Sequence, residues 1–161
     1  MTAHLEVVTG QELAAARLLD AAAVVPTHGT ESLSGVVRHD LAAHRAAFGA
    51  RAAGSDELID ALESVGLTGR GGGHFPTATK WRAVRAHPPG GTVVANGAEG
   101  EPGCAKDAVL LQTRPHLVLD GLVSAIEAVG ARDGVVWIHD GAHATARSVS
   151  AAIAERAAAG L

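Results

Sequence analysis

The order of elements in the second half of the chain constrains the fold most strongly. The sequence GTVVANG, from Gly91, predicts a short buried strand, and RPHLVLDGLVSAIEAVGA predicts a helix that begins near Pro115 and ends at Gly130. DGVVWIHD predicts a second strand and AHATARSVSAAIAERAAAG a final helix. Strand, helix, strand, helix is the order of a parallel α/β unit, whose ligands bind beyond the carboxyl ends of the strands. The segment NGAEGEPG follows the first strand, so we expect it at a ligand site.

The first half of the chain carries weaker signals. Residues 11–23 predict a short helix, residues 24–37 a loop or short strand, and residues 38–50 another short helix. The pattern sharpens at Ser55, where SDELIDALESVGL predicts a helix with a hydroxyl N-cap and two acidic residues in its first turn. Apolar positions from Leu58 to Val65 recur at helical spacing and predict its buried stripe.

Composition excludes several classes of protein. The formal net charge of −4 over 161 residues argues against a nucleic-acid-binding face. The one cysteine, Cys104, cannot form an internal disulfide, nor can it alone hold a zinc ion or an iron–sulfur cluster. No apolar run has the length that spans a bilayer, and the N-terminus shows no secretory signal. We therefore expect a cytoplasmic protein without membrane insertion.

The stretch TGRGGGHFPTATKW contains four glycines within residues 69–73. It does not fit the dinucleotide fingerprint, because the third glycine position is His74 or Pro76 and the loop follows a predicted helix rather than a strand. The P-loop triplet is also missing. Glycine backbone can nevertheless approach a ligand closely, and Arg70 and Lys80 flank the loop with positive charge. A plain glycine-rich connector with solvated charges explains the composition equally well.

The segment NGAEGEPGCAKD adds a second group of polar residues. Asn96 stands at the end of a predicted strand, Glu99 and Glu101 follow two residues apart, and Pro102 with Gly103 predicts a turn. Solvated carboxylates in a turn are the plain interpretation. The alternative is that this turn and the glycine loop meet at one pocket.

Other candidate sites are weaker. His139 and His143 are four residues apart, but His139 ends a predicted strand and no third ligand is spaced with them, which disfavours a metal site. We expect His116 to be structural, and Trp81 and Trp137 to pack in the core. No serine has the base and oxyanion partners of a hydrolase.

Taken together, GLTGRGGGHFPTATKW, VVANGAEGEPGCAKD and TRPHLVLDGLVSAIEAVGA resemble the NADH-binding flavoprotein subunit of respiratory complex I. The same module occurs in NAD-linked hydrogenases and formate dehydrogenases. The resemblance runs roughly from Asp56 to Gly160 and rests on two long motifs at the family's spacing. It implies an α/β fold with a partial parallel sheet and flanking helices, of the FMN-binding-domain type.

The resemblance also implies cofactors and site residues. Family members bind FMN and NADH in one cavity, and a hydride passes from nicotinamide to flavin while the protein orients the rings. The glycine loop would lie against the cofactors, Phe75 would stack on the nucleotide base, and Lys80 would reach the pocket. Asn96 and Glu99 would hold FMN, with Glu101 at the nicotinamide side. The full implied cofactor-binding set is Gly69, Arg70, Gly71, Gly72, Gly73, Phe75, Lys80, Asn96, Glu99 and Glu101.

The chain departs from the family pattern at several positions. The family has glycine where this chain has His74, aspartate at Ala98 and arginine at Ala108. Family members also continue into a glycine-rich segment that completes the flavin pocket, a ubiquitin-like domain and a four-cysteine iron–sulfur domain. We therefore expect a truncated module, with an N-terminal helical and loop segment at 1–54 and a partial FMN- and NADH-binding domain at 55–161.

Two functional hypotheses follow. The first is an NADH dehydrogenase (quinone)-like flavoprotein module that transfers hydride only when other subunits supply the missing pocket and iron–sulfur parts. The alternative is a non-catalytic α/β paralogue or fragment that keeps the fold and binds a nucleotide or a partner subunit.

Overall fold

The structure, a computed structural model, describes residues 4–9, 37–69, 73–100 and 104–161, the first of these ranges by its backbone alone. The described strands are β1 (His4–Thr9), β2 (Thr92–Asn96) and β3 (Asp133–Ile138). The described helices are α1 (Leu41–Phe48), α2 (Asp56–Ser64), α3 (Thr77–Arg85), α4 (Lys106–Thr113), α5 (Pro115–Val129) and α6 (His143–Ala158). The helix expected at 11–23 and nearly all of the segment 24–37 lie outside the described residues.

The described strands form one parallel sheet in the order β1-β3-β2. Thr9 pairs with Ile138, and Asn96 pairs with Trp137, so the strands end together at one edge. The predicted parallel α/β fold is confirmed. The strand predicted in GTVVANG is β2. The expectation that it is buried was wrong, because β2 is exposed at alternate positions and Val94 is 50% exposed. By contrast, β3 lies between two neighbours and is buried on both faces.

The core lies between the sheet and the helices α5 and α6. It contains apolar residues of α5 that recur at helical spacing, apolar residues of β3, α4 and α6, and one alanine between α5 and β3: Leu111, Leu119, Leu122, Ile126, Val129, Ala131, Val136, Ile138, Ala146, Val149 and Ala152. Trp81 of α3 packs against this cluster, as expected for a core tryptophan. Because all of these side chains are aliphatic and none is aromatic, the helices must pack closely to exclude water.

Local signals explain where two of the predicted helices begin and end. The Ser55 hydroxyl accepts a hydrogen bond from the Leu58 N–H, which confirms the expected N-cap of α2. α5 begins with Pro115 and ends at Gly130, which has the left-handed backbone (φ 70°) that glycine adopts without cost. The stripe predicted for α2 was wrong at Val65, which is 74% exposed because the helix ends at Ser64. α4 was not predicted.

The segment from Val37 to Gly54 crosses α5 and α6 and is held by polar contacts. Arg38 Nη1 donates to Glu155 at 2.8 Å, and Arg51 forms two 2.7 Å bonds with Glu127. Gly54 passes so close to α5 that a Cβ there would lie 2.2 Å from the Ser124 carbonyl oxygen. This position therefore requires glycine for close approach of two backbones.

A polar network, defined here as Arg38, His44, His116, Asp120, Glu155 and Arg156, lies beneath this segment. Asp120 accepts from His44 Nε2 at 2.8 Å and from Arg156 Nη2 at 2.6 Å. Glu155 accepts from His116 Nε2, also at 2.8 Å. His116 is completely buried, which confirms its expected structural role.

No helix within the described ranges combines the length and apolarity that crossing a lipid bilayer requires.

Candidate functional site

The carboxyl edge of the sheet is where β2 ends at Asn96 and β3 ends at Ile138. α5 connects these two parallel strands and therefore ends at the opposite, amino edge. Arg85, the last residue of α3, donates to the Ala128 carbonyl near the end of α5 at 2.6 Å. Trp81 of α3 packs against the core cluster and against a second cluster of Ile59, Ala78 and Ala128, so α3 lies against α5. The glycine loop directly precedes α3, and its approach to the carboxyl edge, where ligands bind in α/β proteins, stays a prediction.

The glycine loop is closed at its base by backbone hydrogen bonds. The Gly69 N–H donates to the Phe75 carbonyl at 3.0 Å, and the Thr77 N–H donates to the Leu67 carbonyl at 2.9 Å. Thr68 and Pro76 form an antiparallel bridge between these two bonds. The loop is therefore anchored directly before the first turn of α3. Arg70, Gly71 and Gly72, three of the predicted site residues, lie outside the described residues.

Lys80 extends from α3 over the anchored base. Its Nζ lies 5.8 Å from the centroid of the Phe75 ring, within range of a cation–π contact. A Cβ at position 69 would lie 3.3 Å from the same Nζ, so glycine at this position leaves space for the ammonium group. Phe75 is 51% exposed, so about half of its surface is open to solvent. Gly69, Phe75 and Lys80 are thus three predicted site residues that the structure brings together.

His74 has a backbone conformation that is typical of glycine. Its φ of 44° lies in the left-handed region, which favours glycine, the residue that the resemblance predicts at this position. The imidazole is exposed, and the neighbouring Gly73 has open space around the position of a Cβ. His74 therefore combines a glycine-like backbone with an exposed imidazole next to Phe75.

Asn96 and Gly97 shape the turn after β2. The Asn96 Oδ1 accepts from the Ala98 N–H at 3.0 Å, a local turn that leaves the side-chain amide NH₂ to donate outward. The Gly97 N–H donates to the Trp137 carbonyl at 2.7 Å and so attaches the turn to β3.

Glu99 is held by the start of α4. Its side chain is only 9% exposed, and it accepts from Lys106 Nζ at 2.8 Å and from the Asp107 N–H at 3.3 Å. Hydrogen bonds from the Cys104 thiol and from Lys106 hold the pKa of Glu99 below its ordinary value of 4.5. The same carboxylate, with Asp107, raises the pKa of Lys106. Glu99 is therefore an ionised carboxylate whose position is fixed at the edge.

The two groups of predicted residues are separate in the part of the chain that the structure describes. There, no hydrogen bond, ion pair or ring contact connects Gly69, Phe75 or Lys80 with Asn96 or Glu99. Glu101, the remaining predicted residue, lies outside the described residues. The convergence of both segments on one ligand stays a prediction.

Sequence reasoning missed two contacts at this edge. Lys106 was not singled out, although it neutralises Glu99. His139 was considered only as a metal ligand, yet its Nε2 hydrogen-bonds the backbone carbonyl of Glu99. The single lysine among the three acidic residues of the segment from Glu99 to Asp107 was a signal for the first contact, whereas the second joins residues 40 positions apart. Within the described ranges, no three His, Cys, Asp or Glu side chains are grouped as metal ligands.

Comparison with known proteins places this arrangement in a family. A family model described as the Nuo51 FMN-binding domain matches residues 62–160, which is more than half of the chain. The chain belongs to the Nuo51 FMN-binding domain family. This confirms the resemblance seen in the glycine-loop and strand-end motifs.

Relatives of this Nuo51-family chain include components of electron-transfer enzymes. The F subunit of the NADH-quinone oxidoreductase of Aquifex aeolicus (strain VF5) is 35% identical over 52% of this chain and 20% of that protein. An F subunit of the NADH-quinone oxidoreductase of Rhizobium meliloti (strain 1021) is 38% identical over 62% of this chain and 24% of the relative. The alpha subunit of the NAD-reducing hydrogenase HoxS of Cupriavidus necator is 42% identical over 52% of this chain and 14% of the relative.

A solved structure of an NAD⁺-reducing [NiFe]-hydrogenase in the H₂-reduced state matches with a TM-score of 0.60 and 34% identity. The match covers 65% of this chain and 18% of that one. The chain thus spans a small part of the length of the relatives that it matches.

Proposed function

We propose that this chain is an FMN- and NADH-binding module of an NADH:quinone oxidoreductase-like flavoprotein. The single observation that carries the proposal is the Nuo51 FMN-binding match over residues 62–160, which includes both polar groups at the carboxyl edge. NADH and NAD also appear in the names of the relatives. The proposed location is the cytoplasm.

The described residues fit a flavin nucleotide. The open face of the Phe75 ring offers a stacking surface, and the Lys80 ammonium, 5.8 Å from that ring, offers positive charge to a phosphate. Asn96 presents amide donors for carbonyl or hydroxyl oxygens, since its own oxygen is already used by Ala98. Glycine backbone at residues 69 and 73 allows close approach. Arg70, Gly71, Gly72 and Glu101 belong to the proposed set by the family resemblance.

The role of the chain in the reaction is binding and orientation. FMN, when bound, supplies hydride acceptance from NADH. Phe75 and the glycine loop would orient flat rings, and Lys80 would hold negative charge. Glu99, ionised and fixed by Lys106, would accept a hydrogen bond from a ligand hydroxyl with the remaining acceptor capacity of its carboxylate. No side chain of this set needs to act as a nucleophile.

We propose that turnover needs the rest of the flavin pocket and an electron exit. These are supplied either by further residues of a longer polypeptide or by a partner subunit. The proposed division is an N-terminal segment at 1–54, of which the part from Val37 to Gly54 contacts α5 and α6, and a cofactor-binding part at 55–161.

The test is flavin binding by the purified chain, followed by turnover. FMN fluorescence quenching should show saturable binding, and Lys80→Gln, which removes the charge but keeps most of the side chain, should weaken it. Arg132→Gln is the matched control, because Arg132 is an exposed cation at the amino edge of the sheet. NADH-dependent ferricyanide reduction should then appear when the remaining part of an NADH-quinone oxidoreductase relative is co-expressed. If FMN binds neither to the purified chain nor to the chain co-expressed with the rest of the relative, the proposal is excluded in favour of a non-catalytic paralogue.

A further inference from the structure

His139 directly follows β3 at the carboxyl edge, and its Nε2 hydrogen-bonds the backbone carbonyl oxygen of Glu99. A carbonyl oxygen can only accept, so Nε2 must carry the proton and donate. Both the neutral Nε2–H tautomer and the imidazolium meet this requirement.

The turn from Gly97 to Gly100 is attached to β3 at two points. The Gly97 N–H donates to the Trp137 carbonyl at 2.7 Å, and His139 donates to the Glu99 carbonyl two residues further along the turn. The other hydrogen bonds that the structure gives this turn are local, through Asn96, or run from the Glu99 carboxylate to Cys104 and the start of α4. His139 is thus the contact that fixes the backbone of Glu99 to the central strand of the sheet.

The side-chain carboxylate and the backbone carbonyl of Glu99 are held by different partners. The carboxylate is held from the α4 side by Lys106 and the Asp107 N–H, while the carbonyl is held from the β3 side by His139. A residue held from both sides has little freedom to follow a ligand. It presents a pre-formed site, which lowers the entropy that binding must offset.

We propose that His139 is a positioning residue that holds the Asn96–Gly100 turn in its ligand-binding geometry. It acts through the Glu99 backbone and does not touch the cofactor. Its effect on flavin affinity rests on the proposed function, whereas its effect on the turn does not.

A pair of variants separates the hydrogen bond from the bulk of the side chain. His139→Gln keeps an N–H donor at similar reach, and His139→Leu keeps similar volume without a donor. Backbone ¹⁵N relaxation of the full chain should show order parameters for Ala98, Glu99 and Gly100 falling from about 0.85 toward 0.6 in His139→Leu and remaining near the wild-type values in His139→Gln. His87→Leu, at an exposed histidine after α3, should leave these residues unchanged.

Flavin titration gives the second measurement. Loss of one hydrogen bond should raise the Kd for FMN roughly three- to tenfold in His139→Leu, with recovery in His139→Gln. If His139→Leu leaves the order parameters of the turn at wild-type values, or if the Gln and Leu variants behave alike, the positioning role is wrong. If the turn loosens as expected but the wild-type chain binds no FMN, the proposed function fails and the positioning role stands.

Discussion

Around α5 and α6, charged side chains are buried against charged partners, whereas at the proposed ligand-binding edge the side chains of Phe75 and Lys80 are exposed. Arg156 and Asp120 of the polar network have side chains 8% and 16% exposed and lie 2.6 Å apart. Phe75 at the edge is 51% exposed. The buried region uses its polar groups on one another, so changes there should alter stability. The edge keeps Phe75 and Lys80 exposed, so changes at these two residues should alter binding.

The largest loss of stability should come from breaking the polar network at Asp120. Its carboxylate accepts from both His44 and Arg156, so Asp120→Ala leaves a nearly buried guanidinium without its partner. We expect a loss of about 3–5 kcal/mol in the free energy of unfolding, measured by urea denaturation.

Asp60→Ala is the matched control for this change. Asp60 also accepts from an arginine at 2.6 Å, but its side chain is 70% exposed. Its removal should cost less than about 1 kcal/mol. Equal losses in the two variants would show that burial does not separate the two regions in the way the structure indicates.

The next largest loss of stability should come from a substitution at Gly54, where the N-terminal segment closely approaches α5. A methyl group at Gly54 would lie 2.2 Å from the Ser124 carbonyl oxygen and 2.4 Å from the Ala128 nitrogen, both backbone atoms that cannot move independently. Gly54→Ala should therefore destabilise the fold by about 1–3 kcal/mol.

Gly121→Ala tests the same change where there is room. Gly121 lies within α5 and has open space where an added methyl group would stand, so alanine should stabilise the helix by about 0.5–1 kcal/mol. In parallel urea titrations, the free energy of unfolding should fall in Gly54→Ala and rise in Gly121→Ala. An unchanged free energy of unfolding in Gly54→Ala would contradict the close contact.

Particular elements show how far sequence reasoning reached. α5 was predictable because Pro115, Gly130 and a helical apolar stripe agree on its bounds. α4 was missed because it buries only Leu111 and Thr113 and follows a turn-rich segment. At the site, the glycine loop and Lys80 were visible as a local pattern. The His139 contact was not, because it depends on the β2–β3 pairing rather than on local spacing.

Acid should weaken the buried region through His116. Burial holds the pKa of His116 below its ordinary value of 6.5, even though the bond to Glu155 favours the charged form. Burial also raises the pKa of Glu155, but hydrogen bonds from His116, Arg38 and the Leu41 N–H outweigh it and hold the pKa below 4.5. Both groups bind fewer protons when folded than when unfolded. Their contribution is therefore present at neutral pH and declines as the pH falls below 6.5 and then below 4.5.

Urea denaturation at several pH values between about 4 and 8 measures this decline. In His116→Gln the part of the decline that begins near pH 6.5 should disappear, while the part due to Glu155 remains. Stability that increases as the pH falls from about 7 to 5 would contradict the assignment of a buried, neutral His116.

The smallest effect on stability, and the sharpest contrast with Asp120, should come from Phe75. Because half of its surface is already exposed, Phe75→Ala should change the free energy of unfolding by much less than the removal of a core phenylalanine, which costs about 3–5 kcal/mol. Val84→Ala on α3, at 52% exposure, is the matched control for surface truncation. If the open ring face stacks on a nucleotide base, FMN or NADH affinity should fall about tenfold in Phe75→Ala and remain unchanged in Val84→Ala. If affinity falls in both variants in proportion to the loss of stability, the Phe75 ring stabilises the loop and does not bind the ligand. The edge would then resemble the buried region, where changes alter stability.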